Sequence, residues 1–167
     1  DINAPAQNFS NEFIHGEYSD QSKIDEFITK TDVITYEFEN IPYETLNEIN
    51  KNKPVLPKPS VNRIIQHRIA EKDFINKLNI RTTQYAPIEN KLQIEALQEL
   101  LPGILKTTTL GYDGKGQHLI NSIEDINELD VDFSKGYILE KLVKLKKEIS
   151  IIITRFNDKK YEIYEPI

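Results

Sequence analysis

A glycine-rich stretch at residues 106–117 contains the residue types best suited to holding an anion. Glycine has no side chain, so the backbone N–H groups of such a stretch can approach a bound anion closely. Lys106 and Lys115 add two positive charges of the kind that bind phosphate. The spacing matches neither G-x-x-x-x-G-K-[ST] nor G-x-G-x-x-G, so neither established phosphate motif applies. The glycines concerned are Gly111, Gly114 and Gly116.

The same stretch also fits a simple hairpin turn, because strand-like segments at 103–107 and 117–120 flank it. Hairpin loops of this length often contain Gly, Asp and Lys with solvated side chains. Spacing alone favours this structural interpretation, and anion binding needs support from elsewhere in the chain.

A second segment offers groups that a nucleotide could use. A strand that ends in an apolar connector presents backbone N–H and C=O groups to the edge of a purine, with Leu142 and Val143 as an apolar wall. Glu148 follows, and one carboxylate can accept hydrogen bonds from two ribose hydroxyls. Each feature is weak alone. The connector comprises Glu140, Lys141, Leu142 and Val143.

The elements ahead of these motifs indicate an α/β arrangement. Asp20 is a suitable N-cap for a helix that buries Ile24, Phe27 and Ile28, and residues 32–38 resemble a strand. A second helix follows Pro42. This order lacks the opening strand of an α/β domain, and the chain contains no methionine, so it is expected to be a piece of a longer protein.

A proline-rich boundary at 54–59 precedes a long predicted helix. Ser60 is expected to cap this helix, which runs to about Asn79 with Val61, Ile64, Ile65, Ile69, Ile75 and Leu78 as its apolar stripe. Arg68 follows Val61 by two helical turns and should lie on or beside the buried face, where it needs an anionic partner. An internal salt bridge or a snorkelling side chain at the edge is an alternative explanation.

Short strands and helices alternate from residue 81 onward. Strands are predicted at 82–86, 103–107, 117–120, 137–140, 148–154 and 161–164, the last two joined as a hairpin. Helices are predicted at 92–101 and after a capping box that begins at Ser122.

Composition excludes several classes of protein. The 167 residues carry a net charge of −6, from 27 acidic against 21 basic residues, which argues against a dedicated nucleic-acid binder. The absence of cysteine excludes disulfides, thiolate zinc sites and thiol nucleophiles. Because no apolar run approaches 18 residues and no signal-peptide pattern opens the chain, a soluble protein without membrane association is expected. Nothing in the sequence suggests secretion, and the expected location is cytoplasmic. No metal site is predicted, since the histidines are widely separated: His15, His67 and His118.

Together, the motifs resemble the ATP-grasp enzymes, in the branch of the 5-(carboxyamino)imidazole ribonucleotide synthases. The resemblance implies an α/β fold made of the end of a Rossmann-like pre-ATP-grasp domain (1–59), a connecting helix (60–80), a small α+β lid (81–136) and the start of the C-terminal ATP-grasp domain (137–167). The matching segments are T-Y-E-F-E-N-I at 35–41, H-R-I-A-E-K at 67–72, K-T at 106–107, G-Y-D-G-K-G-Q at 111–117, and E-K-L-V at 140–143 followed by Glu148.

The resemblance also implies a role for each motif. Arg68 and Lys106 would contact ATP phosphates, and the loop from Gly111 to Gln117 would fold over them. The segment from Glu140 to Val143 would hold adenine, and Glu148 the ribose. The implied catalytic residues are Tyr112, Asp113 and Lys115. Tyr112 and Asp113 would lie toward the aminoimidazole ribonucleotide, and Asp113 could orient its amine. Glu37 and Glu39 would bind substrate, although carboxylates that are merely exposed at the end of a strand would have the same sequence.

The implied reaction uses ATP and magnesium to carboxylate 5-aminoimidazole ribonucleotide with bicarbonate, and the implied full-length enzyme is a homodimer. The family's magnesium ligands would lie after Ile167, so these residues alone are expected to show weak or no catalysis. Three alternatives stay open: another ATP-grasp enzyme of purine synthesis, a nucleotide-binding module without catalysis, and an α/β interaction domain.

Overall fold

A computed structural model describes residues 2–111 and 116–167 of the chain. The predicted site residues Tyr112, Asp113, Gly114 and Lys115 lie outside the described residues. The described parts form two α/β units, joined by a pair of helices, and a terminal hairpin.

The first unit packs two helices against a short parallel sheet. After a 3-10 turn at Pro5–Phe9, it comprises α1 (Gln21–Lys30), β1 (Ile34–Thr35), α2 (Tyr43–Asn50) and β2 (Val55–Leu56). As predicted, Asp20 caps α1, and its carboxylate accepts from the N–H groups of Ser22 and Lys23. The predicted strand at 32–38 shrinks to two residues, because in the described chain only β2 offers it a hydrogen-bonding partner. The core residues are Ile24, Ile34, Leu46, Ile49 and Val55.

The prediction of one long helix from Ser60 to Asn79 is wrong. The structure has two helices there, α3 (Pro59–Ile65) and α4 (Arg68–Lys77). Pro59 occupies the first turn of α3, so Lys58 and not Ser60 is the N-cap. The helical conformation is interrupted at His67, whose backbone is extended and whose side chain accepts a hydrogen bond from Ala70 N. Half of the predicted apolar stripe is exposed (Val61, Ile65 and Leu78), and the other half is only partly buried (Ile64, Ile69 and Ile75).

The second unit is an antiparallel sheet in the order β3-β6-β4-β5, made of β3 (Tyr85–Ile88), β4 (Gly103–Thr107), β5 (Gln117–Ile120) and β6 (Tyr137–Lys141). The predicted bounds of β4 and β5 are confirmed, whereas β3 begins later than predicted. The helices are α5 (Lys91–Ala96) and α6 (Ile123–Glu128), with 3-10 turns at Gln98–Leu100 and Phe133–Lys135. The predicted helix at 92–101 therefore ends early, and the predicted capping box at Ser122 is confirmed.

Alternation along the strands gives this sheet two different faces. One face buries an apolar core of nine residues: Ile88, Ile94, Leu100, Leu105, Ile120, Ile126, Leu129, Tyr137 and Leu139. On the opposite face, Tyr85 and Ile104 flank Glu140, and Lys106 pairs with Ile138. We call this second side the polar face, defined by Tyr85, Ile104, Lys106, Ile138 and Glu140.

The chain ends in a hairpin of β7 (Ile153–Arg155) and β8 (Tyr161–Ile163). The predicted hairpin is confirmed, but its first strand is shorter than the predicted 148–154. None of the helices in residues 2–111 and 116–167 is both long and apolar enough to cross a membrane.

Candidate functional site

The polar face of the second sheet holds a cluster of charges around the buried Glu140. Lys106 Nζ lies 2.9 Å from one oxygen of Glu140, and Lys72 Nζ lies 3.3 Å from the other. The side chains of Lys72, Glu140 and Lys106 are only 14%, 11% and 21% exposed, so water screens these charges weakly. A carboxylate between two lysines leaves one excess positive charge in a sheltered place, which suits an anionic ligand.

Lys72 and Glu71 also belong to this region, although no motif in the sequence assigns them a role. Lys72 reaches the polar face from α4 and also lies over the ring of Tyr85, 5.4 Å from its centre. The Tyr85 hydroxyl in turn donates to Asp73. The sequence signal for Lys72 is its position four residues after Arg68, which places both cations on one side of α4.

Arg68 fixes the beginning of the glycine-rich loop. Its guanidinium donates to the carbonyl oxygens of Thr107 at 2.7 Å and Gly111 at 2.6 Å. Its backbone N–H donates to Thr108 O at 2.9 Å. Within residues 2–111 and 116–167, Arg68 forms no ion pair with a carboxylate, so the alternative of an internal salt bridge finds no support there. The guanidinium spans the mouth of the loop on backbone oxygens.

The predicted loop is also the turn of a hairpin. Lys106 pairs with Gln117 across β4 and β5, and Thr107 N donates to Gly116 O at 3.2 Å. Gly116 has a φ of +70°, a conformation that favours glycine. The hairpin interpretation and the anion-binding interpretation are thus compatible, since the hairpin holds the loop beside Lys106 and Arg68.

A cleft of about 300 Å³ separates this loop from the first α/β unit. Glu39 lines it, held by Gln66, whose side-chain amide donates to Glu39 O and Ile41 O. Buried Asn62 also donates to Ile41 O. Helix α3 thereby fixes the T-Y-E-F-E-N-I segment against the cleft. The lining residues are Glu39, Asn40, Ile65, Gln66, Arg68, Glu71, Leu110 and Gly111.

The connector at residues 140–143, whose first two residues belong to β6, has fewer free backbone groups than its sequence suggests. Lys141 N donates to Gln84 O at 2.9 Å, and Leu142 N donates to Pro102 O at 2.8 Å. Lys141 O accepts from the Thr83 hydroxyl. Leu142 and Val143 are 40% and 51% exposed, so the apolar wall remains open.

Two predicted residues stand apart from this cluster. Glu148 is exposed, on the segment that leads to the terminal hairpin. Glu37 is exposed and does not line the cleft that Glu39 lines. Among the described residues, the structure therefore brings together Arg68, Lys106, Gly111, Glu140 and Glu39.

Comparison with protein families decides the identity of this fold. The ribonucleotide synthetase preATP-grasp domain matches residues 1–66, and the ATP-grasp domain matches residues 73–167, more than half of the chain. The chain belongs to the ATP-grasp family. Lys106, Glu140, the loop and the connector lie within the ATP-grasp match, and Lys72 lies one residue before it.

Individual relatives of this ATP-grasp chain come from purine synthesis. It is 33% identical over 156 residues to N5-carboxyaminoimidazole ribonucleotide synthase of Pseudomonas aeruginosa, covering 92% of this chain and 43% of that protein. It is 35% identical to the bifunctional purine synthesis protein purC/E of Dictyostelium discoideum, covering 84% of this chain and 15% of that protein. The chain thus spans less than half the length of these relatives.

A solved structure shows the same fold. The N5-carboxyaminoimidazole synthetase of Staphylococcus aureus, crystallised with ADP, superimposes with a TM-score of 0.86 at 30% identity. The match covers 97% of this chain and 44% of that one. The expected α/β class, with pre-ATP-grasp and ATP-grasp parts, is therefore confirmed.

Glu71 lines the cleft, and its surroundings disfavour the charged form of its carboxyl. Burial raises the pKa of its carboxyl, and Glu140 and Glu39 raise it further, while Lys72 and Arg68 lower it. A raised pKa in the folded state means that the wild-type protein loses stability as the pH rises through that pKa. Glu71 therefore destabilises the fold at neutral pH.

Replacing Glu71 with glutamine is expected to raise the melting temperature at pH 7 by about 1–2 °C. The gain should vanish below about pH 4, where the wild-type carboxyl is protonated in both states. Thermal melts at both pH values test this, with Glu99→Gln as the control at an exposed carboxylate. A gain of equal size at both pH values would show that packing, and not charge, is responsible.

Proposed function

We propose that the full-length protein carboxylates 5-aminoimidazole ribonucleotide, using ATP and bicarbonate, to give 5-(carboxyamino)imidazole ribonucleotide, ADP and phosphate in purine synthesis. The observation that carries the proposal is the sheltered Lys106–Glu140 pair beside the Arg68-anchored loop. This arrangement lies in a chain that aligns along 92% of its length with a synthase of that name.

The proposed nucleotide site lies on the polar face and its edge. Lys106 and Arg68 would bind the phosphates, which is supported by the position of Lys106 on β4 just before the loop and by the bonds of Arg68 to Thr107 O and Gly111 O. The loop from Gly111 to Gln117, including Gly114 and Gly116, would cover the phosphates. Adenine would lie against Glu140, Lys141, Leu142 and Val143, and Glu148 would accept from the ribose.

The second substrate would enter the cleft between the two units. Glu39 supports this assignment, because it lines the same cleft as Arg68 and Gly111. Tyr112, Asp113 and Lys115 are the proposed catalytic residues of the glycine-rich segment, with Asp113 orienting the amine. Glu37 is also proposed to bind substrate, and only its place in the T-Y-E-F-E-N-I segment supports this role.

The proposed chemistry has two stages. An oxygen of bicarbonate attacks the γ-phosphorus of ATP, and ADP leaves with the bonding electrons. The carboxyphosphate formed then yields carbon dioxide or reacts directly, and the amine nitrogen of the ribonucleotide bonds to the carbon while phosphate departs and the amine loses a proton. Lysine and arginine contribute mainly positioning and charge neutralisation.

Magnesium belongs to the proposal as a partner of ATP, where it would neutralise phosphate charge. Residues 2–111 and 116–167 contain no group of three or more His, Asp or Glu side chains able to hold a metal, so no ligand in them is assigned. We further propose that the full-length protein is a cytoplasmic homodimer. The proposed domains of this chain are the pre-ATP-grasp part at 1–59, the connecting segment at 60–80, the lid at 81–136 and the start of the C-terminal ATP-grasp domain at 137–167.

The test is a coupled assay of ADP release with the full-length protein. The release should require both bicarbonate and 5-aminoimidazole ribonucleotide. Lys106→Met should weaken ATP binding about 30-fold, the effect of one charge-assisted hydrogen bond. Lys135→Met, at an exposed lysine near β6, is the control and should leave ATP binding unchanged.

Other outcomes would point to other functions. ATP binding without turnover would favour a nucleotide-binding module. ADP release that needs a different purine intermediate would favour another ATP-grasp ligase. Unchanged nucleotide affinity in both Lys106→Ala and Glu148→Ala would favour an interaction domain.

A further inference from the structure

Lys72 occupies a largely sheltered position that the proposed nucleotide contacts leave unexplained. Its ammonium group meets Glu140 Oε1 at 3.3 Å and the face of the Tyr85 ring at 5.4 Å. Tyr85 is itself held in place, because its hydroxyl donates a hydrogen bond to Asp73, which lies on α4 next to Lys72. Ordering a lysine side chain in this way costs conformational entropy, so its contacts must compensate for that cost.

The electrostatics of Glu140 indicate why a second lysine is needed. Glu140 is 8% exposed, and Lys106 binds its other oxygen at 2.9 Å. A phosphate that binds Lys106 competes with Glu140 for the same ammonium group. With Lys106 as the only partner, moving Lys106 to a phosphate would leave a buried carboxylate unpaired and would place two anions close together, both of which are unfavourable.

We infer that Lys72 is a positioning residue that holds Glu140 when Lys106 turns to the phosphates of the bound nucleotide. Lys72 keeps the carboxylate paired throughout, so Lys106 can exchange partners without leaving an uncompensated buried charge. This inference rests on the proposed nucleotide site. It assigns Lys72 no direct contact with the nucleotide, and it predicts that the role of Lys72 depends on the charge of Glu140.

The experiment measures binding of inorganic tripolyphosphate to the full-length protein by calorimetry, since this probe reports on the phosphate contacts without adenine. Lys72→Met should weaken binding about tenfold, because Glu140 then retains Lys106. Lys72→Arg should stay close to wild type. Lys77→Met, at an exposed lysine on the same helix, is the matched control and should bind like wild type.

A double variant separates this role from a structural one. Adding Glu140→Gln to Lys72→Met removes the competing charge, frees Lys106 and should restore binding to within about threefold of wild type. If Lys72→Met folds poorly, Lys72→Gln serves in its place, with circular dichroism as the check. A double variant as weak as the single one, or a single variant that binds normally, would overturn the inference.

The same measurements distinguish failure of the inference from failure of the proposed site. If Lys106→Met binds tripolyphosphate as well as wild type does, both the phosphate site and the role of Lys72 are wrong. If Lys106→Met is weakened while Lys72→Met is not, only the inference fails.

Discussion

Replacing Arg68 with methionine is expected to lower kcat/KM for ATP by about 100-fold to 1,000-fold, the effect of removing one positioned donor from a reaction site. The guanidinium donates to Thr107 O and Gly111 O, one on each side of the loop's first turn. Without it, two carbonyl oxygens lose their donor and the loop loses its fixed start. The variant should therefore lose phosphate binding and loop placement together.

The planar geometry of the Arg68 guanidinium, and not its positive charge alone, is expected to determine this effect on kcat/KM. Two backbone oxygens on different residues require two separate N–H groups of defined geometry, which a lysine ammonium provides poorly. Arg68→Lys should therefore recover less than a tenth of the wild-type kcat/KM (about a tenfold loss or more). Steady-state kinetics with the full-length protein, at varied ATP, would measure both variants.

Arg63→Lys is the matched control for this prediction. Arg63 lies on the preceding helix, with its guanidinium 5.0 Å from the centre of the Tyr43 ring and outside the cleft. Its replacement should leave kcat/KM within about twofold, since isolated surface contacts contribute little. Full activity of Arg68→Lys would contradict the argument, because charge alone would then be sufficient.

Local signals predicted much of this fold. Asp20 and Ser122 mark helix starts through their capping side chains, and both are confirmed. The strands on either side of the glycine-rich loop are confirmed because their apolar residues alternate and a turn-forming segment separates them. Such signals act over a few neighbouring residues, so one sequence is enough to detect them.

The break at His67 could not be predicted in the same way. Apolar residues continue at helical spacing on both sides of it, which favours one uninterrupted helix. What decides the outcome is tertiary structure: Arg68 N bonds to Thr108 O of the second unit, and Gln66 bonds to Ile41 O of the first. Each helix is therefore held by a different unit.

The charge cluster was predicted only in part, for a related reason. Lys106 and Glu140 each stood out by motif, but the ion pair between them depends on the register of β4 against β6. Lys72 reaches the same carboxylate only because α4 lies beside Tyr85 and Glu140 in the folded chain. Long-range pairing of this kind follows from topology, which residue spacing alone does not specify.

The largest loss of stability is expected from Gly103→Ala, at the start of β4. A Cβ atom there would lie 2.8 Å from Leu100 O, 2.9 Å from Leu139 Cδ1 and 3.0 Å from Glu140 O. Two of these neighbours are backbone atoms that cannot rotate away, so β4 must move against β6. We expect the free energy of unfolding to fall by about 3 kcal/mol, the upper end of the usual cost of overpacking.

The displacement of β4 should also reach the nucleotide site, because Lys106 lies on the same strand and Glu140 on its neighbour. Urea denaturation gives the stability change, and ATP titration gives the accompanying loss of affinity. Gly16→Ala is the comparison: its Cβ would meet Lys23 Cγ at 2.8 Å and Lys23 Cβ at 3.1 Å, which are side-chain and not backbone atoms, and it should cost less than Gly103→Ala. If both alanine variants lower the free energy of unfolding equally, the contact between β4 and β6 at Gly103 is not tightly packed. The position of Lys106 would then depend on its ion pair with Glu140 and not on the packing of β4.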